Sequence, residues 1–161
     1  MWTDSPAMEP VVDGLWLRLR DVILAERRLE RFTFAPEAPE TGASGRLAAL
    51  AGDPQAMGRL ARDVTLRALA AACDPVNCEI LGGFDGQVVS VAEMTARVGL
   101  PELALRERVN ALAQAGLAGR DLEQDAVLPT AAGQGLAALV DALAAALADR
   151  LRRELPALLA S

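Results

Sequence analysis

DPVNCEILGGFDGQVVSVAEMTARVGLPELALRERVNALAQAGLAGRDLEQDAVLPTAAG, residues 74 to 133, sets the reading of the whole 161-residue chain. Asp74 followed by Pro75 is a helix start. An acidic N-cap precedes proline at the first helical position, where its missing N–H costs nothing. This helix runs through Ile80 and Leu81 and stops at Gly82-Gly83. Asp85-Gly86 forms a turn, and Gln87-Val88-Val89 predicts a short strand. Ser90 stands three residues ahead of Glu93, the spacing of a capping box in which each side chain bonds the other's backbone N–H. The helix it opens carries Val91, Met94 and Val98 on one face and closes at Gly99, where glycine takes the left-handed conformation cheaply. The next helix, residues 101 to 115, starts at Pro101. It buries Leu105, Val109 and Leu112, spaced 4 and 3, and ends at Gly116 with Leu117 as the apolar contact after the cap. Leu117-Ala118 and Ala126-Val127-Leu128 flank a polar tip, RDLEQD, as the two strands of a hairpin. Thr130 is placed to cap the last helix.

Helix, strand, helix, tight turn, helix and hairpin is the order of a winged helix-turn-helix. Two helices joined by so short a glycine turn cross steeply. The stretch DPVNCEIL resembles the DPTRxxIL opening of ArsR-type regulators. SVAEMTARVGLPELALRERVNALAQAGLA is similar to the core shared by the ArsR, MarR and HxlR groups, and VLPTAAGQGL to the LTxxGxxL exit from the wing in MarR and HxlR proteins. The likeness covers about 60 of the residues. It implies a dimeric, DNA-binding transcriptional regulator whose recognition helix spans residues 101 to 115. The DNA-facing positions would be Glu102, Leu103, Ala104, Arg106, Glu107 and Asn110, joined by Arg120 of the wing. Two departures stand out. Asn77 occupies the place of an arginine in the ArsR pattern, and Leu103 and Ala104 stand where serine or threonine usually begins the DNA contacts.

Outward from this core, the fold class expected is mainly α with a small β-wing, the core flanked by N- and C-terminal dimerisation helices. Aliphatic residues dominate a composition that is 52% hydrophobic and only 3% aromatic, which suits packed helices. Residues 1 to 10 read as a flexible start. Residues 11 to 32 form an amphipathic helix with Val12, Leu15, Trp16, Leu19, Val22, Ile23 and Leu29 in one stripe. APEAPETGASG, residues 35 to 45, is a loop rich in breakers, followed by a short helix near Leu47 to Leu50. Asp53-Pro54 repeats the cap-plus-proline start and launches a helix to about Ala72, with Met57, Leu60, Ala61, Val64 and Ala68 inward. Gly58 within it marks a close helix crossing, since glycine there costs about 1 kcal/mol against alanine. Residues 11 to 73 thus form an N-terminal supporting and dimerising segment, 74 to 130 the winged helix, and 131 to 161 a C-terminal helix. That helix carries Leu136, Val140, Leu143, Leu147 and Leu151 along one edge. A chain this size has little core left for so long a stripe. With Leu15, Trp16 and Leu19 of the first helix it is read as the interface of a homodimer; the plainer reading packs it on its own domain.

Charge divides the function classes. Residues 74 to 130 hold nine acids and four arginines, net −5, out of −6 for the chain. DNA affinity rests on neutralising phosphates, so this surplus opposes the duplex. Arg106 and Asn110 suit base reading, because arginine pairs guanine and asparagine pairs adenine bidentately. Arg108 suits a phosphate or an ion pair. The leading expectation is therefore a sequence-specific regulator binding double-stranded DNA as a homodimer. The alternative is a winged helix that has lost DNA binding and serves as an acidic protein-interaction module or antagonist of another regulator. An enzyme is not expected: the chain has no histidine to act as an imidazole base and no glycine-rich phosphate loop.

Cys73 and Cys78 admit three readings: a weak soft-metal pair, a redox switch, or two small residues in the packing. No cofactor is called for, and a cavity among the first helix, core and last helix would suit a small apolar effector that no residue selects. The N-terminus lacks a basic start before an apolar run, and no stretch of about 18 residues is uncharged and uniformly apolar. A cytoplasmic protein with reduced cysteines, away from the membrane, is expected.

Overall fold

Asp53 and Asp74 each start a helix in the same way. Asp53 Oδ1 accepts from the backbone N–H groups of Gln55 (2.9 Å) and Ala56 (3.1 Å), and Asp74 Oδ1 from those of Val76 (3.0 Å) and Asn77 (3.1 Å). A proline follows each cap. In the computed structural model, which describes residues 8–32 and 43–159, these caps open two of seven helices. The helices are α1 (Met8–Phe32), α2 (Ala43–Ala51), α3 (Pro54–Ala72), α4 (Pro75–Gly82), α5 (Val91–Val98), α6 (Glu102–Gln114) and α7 (Ala131–Leu159). Three short strands complete the described chain: β1 (Val89–Ser90), β2 (Ala118–Asp121) and β3 (Ala126–Pro129). They form one antiparallel sheet in the order β1-β3-β2, with Val89 opposite Val127 and Arg120 also opposite Val127. The chain is mainly helical with a small β-wing, and the order of elements from Asp74 onward is the order read from the sequence.

Several local expectations shift. Residues 1–7 and 33–42 lie outside the described residues, as does the Leu29 side chain. Met8, Glu9 and Pro10 are helical rather than part of a loose start, since proline is tolerated in a first turn and Glu9 favours the positive end of the dipole. Ala43 to Gly45 belong to α2, not to the loop. Gln87 and Val88 precede the strand: Gln87 N–H donates to Phe84 O (2.8 Å) in the turn, leaving only Val89 and Ser90 to pair. The Ser90 capping box is half made. Ser90 Oγ accepts from Glu93 N–H (3.1 Å), but the Glu93 carboxylate turns to Arg97 (2.6 Å). Pro101 is the N-cap of α6, not its first residue. Gly58 meets open space: among the described residues nothing lies within 4 Å of the Cβ it lacks, so no helix crosses there. Met57 and Ala61 are exposed for the same reason, and only Ala68 of the expected inner face of α3 is fully buried.

The core lies where α4, α5 and α6 meet the sheet and the start of α7. Ile80, Met94, Leu105, Val109, Leu112, Leu117 and Val127 are fully buried in it. Burying each such side chain contributes roughly 1.5–3 kcal/mol. Asn77 is a polar residue within this core. Buried, it donates from Nδ2 to Ala71 O (2.9 Å) and ties α4 to the end of α3. The end of α6 is a Schellman cap: Leu117 N–H donates to Leu112 O (2.9 Å), Gly116 N–H to Ala113 O (3.1 Å), and Gly116 takes φ +79°. Thr130 Oγ1 donates to Gly116 O (2.9 Å) and accepts from Gly133 N–H (3.1 Å). One hydroxyl thus caps α7 and fixes it to the α6–β2 turn.

Candidate functional site

Burial of Leu105, Val109 and Leu112 decides which edge of α6 looks outward. The helical period puts Glu102, Leu103, Arg106, Glu107 and Asn110 on the opposite side, and all but half-buried Arg106 are exposed. Ala104 is half-buried and turned from that edge. The β2–β3 hairpin stands beside α6, and its side chains reach across. Arg106 Nη1 donates to Asp125 Oδ1 (2.8 Å) and Nη2 to Asp125 Oδ2 (2.7 Å), while Nε donates to Glu102 Oε1 (2.9 Å). The Asp125 carboxylate, then Glu102, push the Arg106 guanidinium pKa up, and Arg106 holds the Asp125 carboxyl below its ordinary range. Arg120 Nη1 donates to Asn110 Oδ1 (2.9 Å). Arg106, Asn110 and Arg120 are therefore contiguous on one face made by α6 and the wing.

The remaining arginines of the segment serve the fold. Arg108 bonds Asp74 Oδ2 (2.9 Å), which answers the choice between phosphate and ion pair in favour of the pair. The Asn77 backbone N–H, then Arg108, hold the Asp74 carboxyl below its usual range. Arg97 donates to Gly83 O and pairs with Glu93 (2.6 Å) and Asp85 (3.5 Å). Three of the four arginines in residues 74 to 130 thus meet carboxylates of the same segment. Arg120 has no carboxylate partner within salt-bridge distance among the described residues. Two large apolar side chains stand out on this acidic face: Leu103 at the start of α6 is 71% exposed and Leu122 at the hairpin tip 76%.

The second surface is the one read as a dimer interface. Leu143, Leu147 and Leu151 of α7 are exposed (63%, 60% and 52%), as is Trp16 of α1 (57%); Val140 and Leu19 are half-buried. Leu15 and Leu136 correct the expected set. Both are buried within their own fold, where α1 packs along the first turns of α7, and neither is free for a partner. The helical stretch Ala131–Leu155 contains an 18-residue window of mean hydropathy 1.5, 22% of it buried, which by length and composition alone is apolar enough to cross a membrane. Its Ala132, Leu136 and Ala137 belong to the core, while Asp141, Asp149 and Arg150 interrupt the rest.

A cavity of about 230 Å³ lies among α1, α3 and α7, lined by apolar side chains including Val11, Leu15, Ala68, Leu69 and Leu139. Its one hydroxyl, Thr65 Oγ1, already donates to Ala61 O (2.8 Å). Cys73 is exposed and Cys78 half-buried. Burial first, then Asp141, Cys73 and Glu79, push the Cys78 thiol pKa up, so it stays protonated rather than presenting a thiolate. Among the described residues no three metal-ligating side chains of the His, Cys, Asp and Glu types cluster.

No family model matches the chain, and none of the curated proteins matches it.

The tie between α6 and the wing through Asp125 was not legible in the sequence. Asp125 lies 19 residues from Arg106, across a hairpin whose twist no spacing rule supplies. Its one local signal is a position at the end of the polar tip, where it adopts φ +47°. Leu122 was equally unforeseen, as an apolar residue at the hairpin tip.

Proposed function

We propose that this protein is a winged-helix transcriptional regulator that works as a homodimer and meets duplex DNA through α6 and the wing. The observation that carries this reading is the contiguity of Arg106, Asn110 and Arg120 on the outward edge of α6. Arginine reads guanine, asparagine reads adenine, and an arginine at the base of a wing reaches the adjacent phosphate. The exposed leucines of α7 and Trp16 of α1 supply the surface for the second copy, so that two α6 helices address two half-sites. On this reading Arg106→Ala weakens binding to duplex DNA by about tenfold or more, as for loss of a bidentate base contact. Fluorescence anisotropy on a labelled duplex measures this; unchanged affinity removes α6 from the interface.

A second reading is favoured by one specific observation. Arg97, Arg106 and Arg108 are already paired with carboxylates, while Leu103, Leu122, Glu107 and Glu123 face solvent. A protein-docking module or antagonist of another regulator would present such a face. Replacing Asp121, Glu123 and Asp125 would then abolish partner binding, and the arginine variant would leave it intact.

A further inference from the structure

The bidentate pair between Arg106 and Asp125 has the donor geometry that arginine uses on guanine. Two parallel N–H groups meet two acceptors, at 2.8 and 2.7 Å. Guanine offers the same pair of acceptors, O6 and N7, in the major groove, whereas adenine offers N7 beside an N6 donor. The backbone that carries Asp125 is fixed. Its backbone carbonyl accepts from Val91 N–H (3.0 Å), its φ is +47°, and the turn before it is fixed by Asp121 Oδ1, which accepts from Glu123 N–H (2.9 Å) and Gln124 N–H (3.0 Å). The wing backbone thus places the Asp125 carboxylate beside Arg106, and the two-bond pair orients it there.

We infer that Asp125 is a specificity-determining positioning residue, holding Arg106 in a mock guanine contact that only a G·C edge can replace without loss of a hydrogen bond. This rests on the DNA-binding reading above. Opposite G·C, Arg106 exchanges the two Asp125 acceptors for two and keeps Glu102 on its Nε. Opposite A·T it surrenders two and recovers one. The negative charge of Asp125 also withholds Arg106 from casual phosphate contacts, which carry no sequence information.

The test compares the wild type with Asp125→Asn and Glu123→Gln on three labelled duplexes: alternating G·C, alternating A·T and random sequence. Asparagine tolerates the left-handed backbone at this position. Glu123 removes the same charge from the same wing, yet its side chain touches no arginine among the described contacts. In Asp125→Asn, affinity for A·T and random duplexes rises about tenfold and the G·C preference shrinks, with the salt slope steepening by about one. In Glu123→Gln the G·C to A·T ratio stays at the wild-type value. An unchanged ratio in Asp125→Asn, or an equal change in both variants, overturns the inference while leaving DNA binding in place. Absence of binding by all three proteins at about 50 mM salt overturns the DNA-binding reading itself, and this inference with it.

Discussion

Gly133→Ala destabilises the protein by about 3 kcal/mol or more, although alanine is the better helix former by about 1 kcal/mol. Gly133 lies in the first turns of α7, where the helix crosses the α6–β2 turn. A Cβ there would stand 1.9 Å from Leu117 O, 2.9 Å from the Leu117 carbonyl carbon and 3.0 Å from Leu81 Cδ2. The nearest atoms belong to backbone, and that backbone is fixed: Leu117 N–H closes the cap of α6, and Thr130 holds Gly116 O. Relief requires α7 to lift, which would open the packing of Leu136 and Ala132 on the core. The neighbouring approach of Gly14 on α1 to the Ala132 backbone N, at 2.5 Å from the missing Cβ, leaves no room on the other side. Thermal unfolding followed by circular dichroism reads the effect as a fall of about 6–12 °C in Tm. Gly58→Ala is the internal control. It meets nothing within 4 Å among the described residues and raises stability by up to about 1 kcal/mol. Equal behaviour of the two variants would contradict this packing of α7.

On the proposed homodimer reading, Leu143→Glu combined with Leu147→Glu converts dimer to monomer while leaving the helical fold intact. Both side chains are more than half exposed, so in an isolated protomer their replacement costs at most about 0.5 kcal/mol each. In a symmetric dimer each is buried twice, once per copy. At roughly 1.5–3 kcal/mol per buried leucine, the loss exceeds a thousandfold in the dimerisation constant. Sedimentation equilibrium separates the outcomes. A wild type that is monomeric at tens of micromolar, or a double variant that remains dimeric, excludes α7 as the interface. Leu136 makes the opposite comparison: it is buried in the protomer, and its replacement unfolds rather than dissociates.

Local chemistry made most of the fold readable. Asp53-Pro54, Asp74-Pro75, Ser90, Gly99 and Gly116 each act within four or five residues, so their caps could be placed from the sequence alone. The buried stripe of α6 was readable because Leu105, Val109 and Leu112 repeat with the helical period. Tertiary packing was not readable. Gly58 and Gly133 look alike in sequence, yet one faces open space and the other a carbonyl oxygen. Leu136 and Leu143 share one edge of α7, but only the first is buried in the core. The candidate site divides the same way. Residue type and spacing single out Arg106, Asn110 and Arg120 as candidates. Their binding to Asp125, Glu102 and one another depends on how the wing folds over α6.

On the proposed reading, the face formed by α6 and the wing meets duplex DNA despite a net charge of −5 over residues 74 to 130. The most direct test is fluorescence anisotropy of the purified protein on a labelled duplex taken from upstream of its own coding sequence, at about 50 and 200 mM salt. Saturable binding that resists random competitor DNA and weakens steeply between the two salt concentrations is the result expected if α6 and the wing bind the duplex. Absence of binding at the lower salt, where phosphate attraction is least screened, would contradict it and leave the acidic face as a surface for a protein partner.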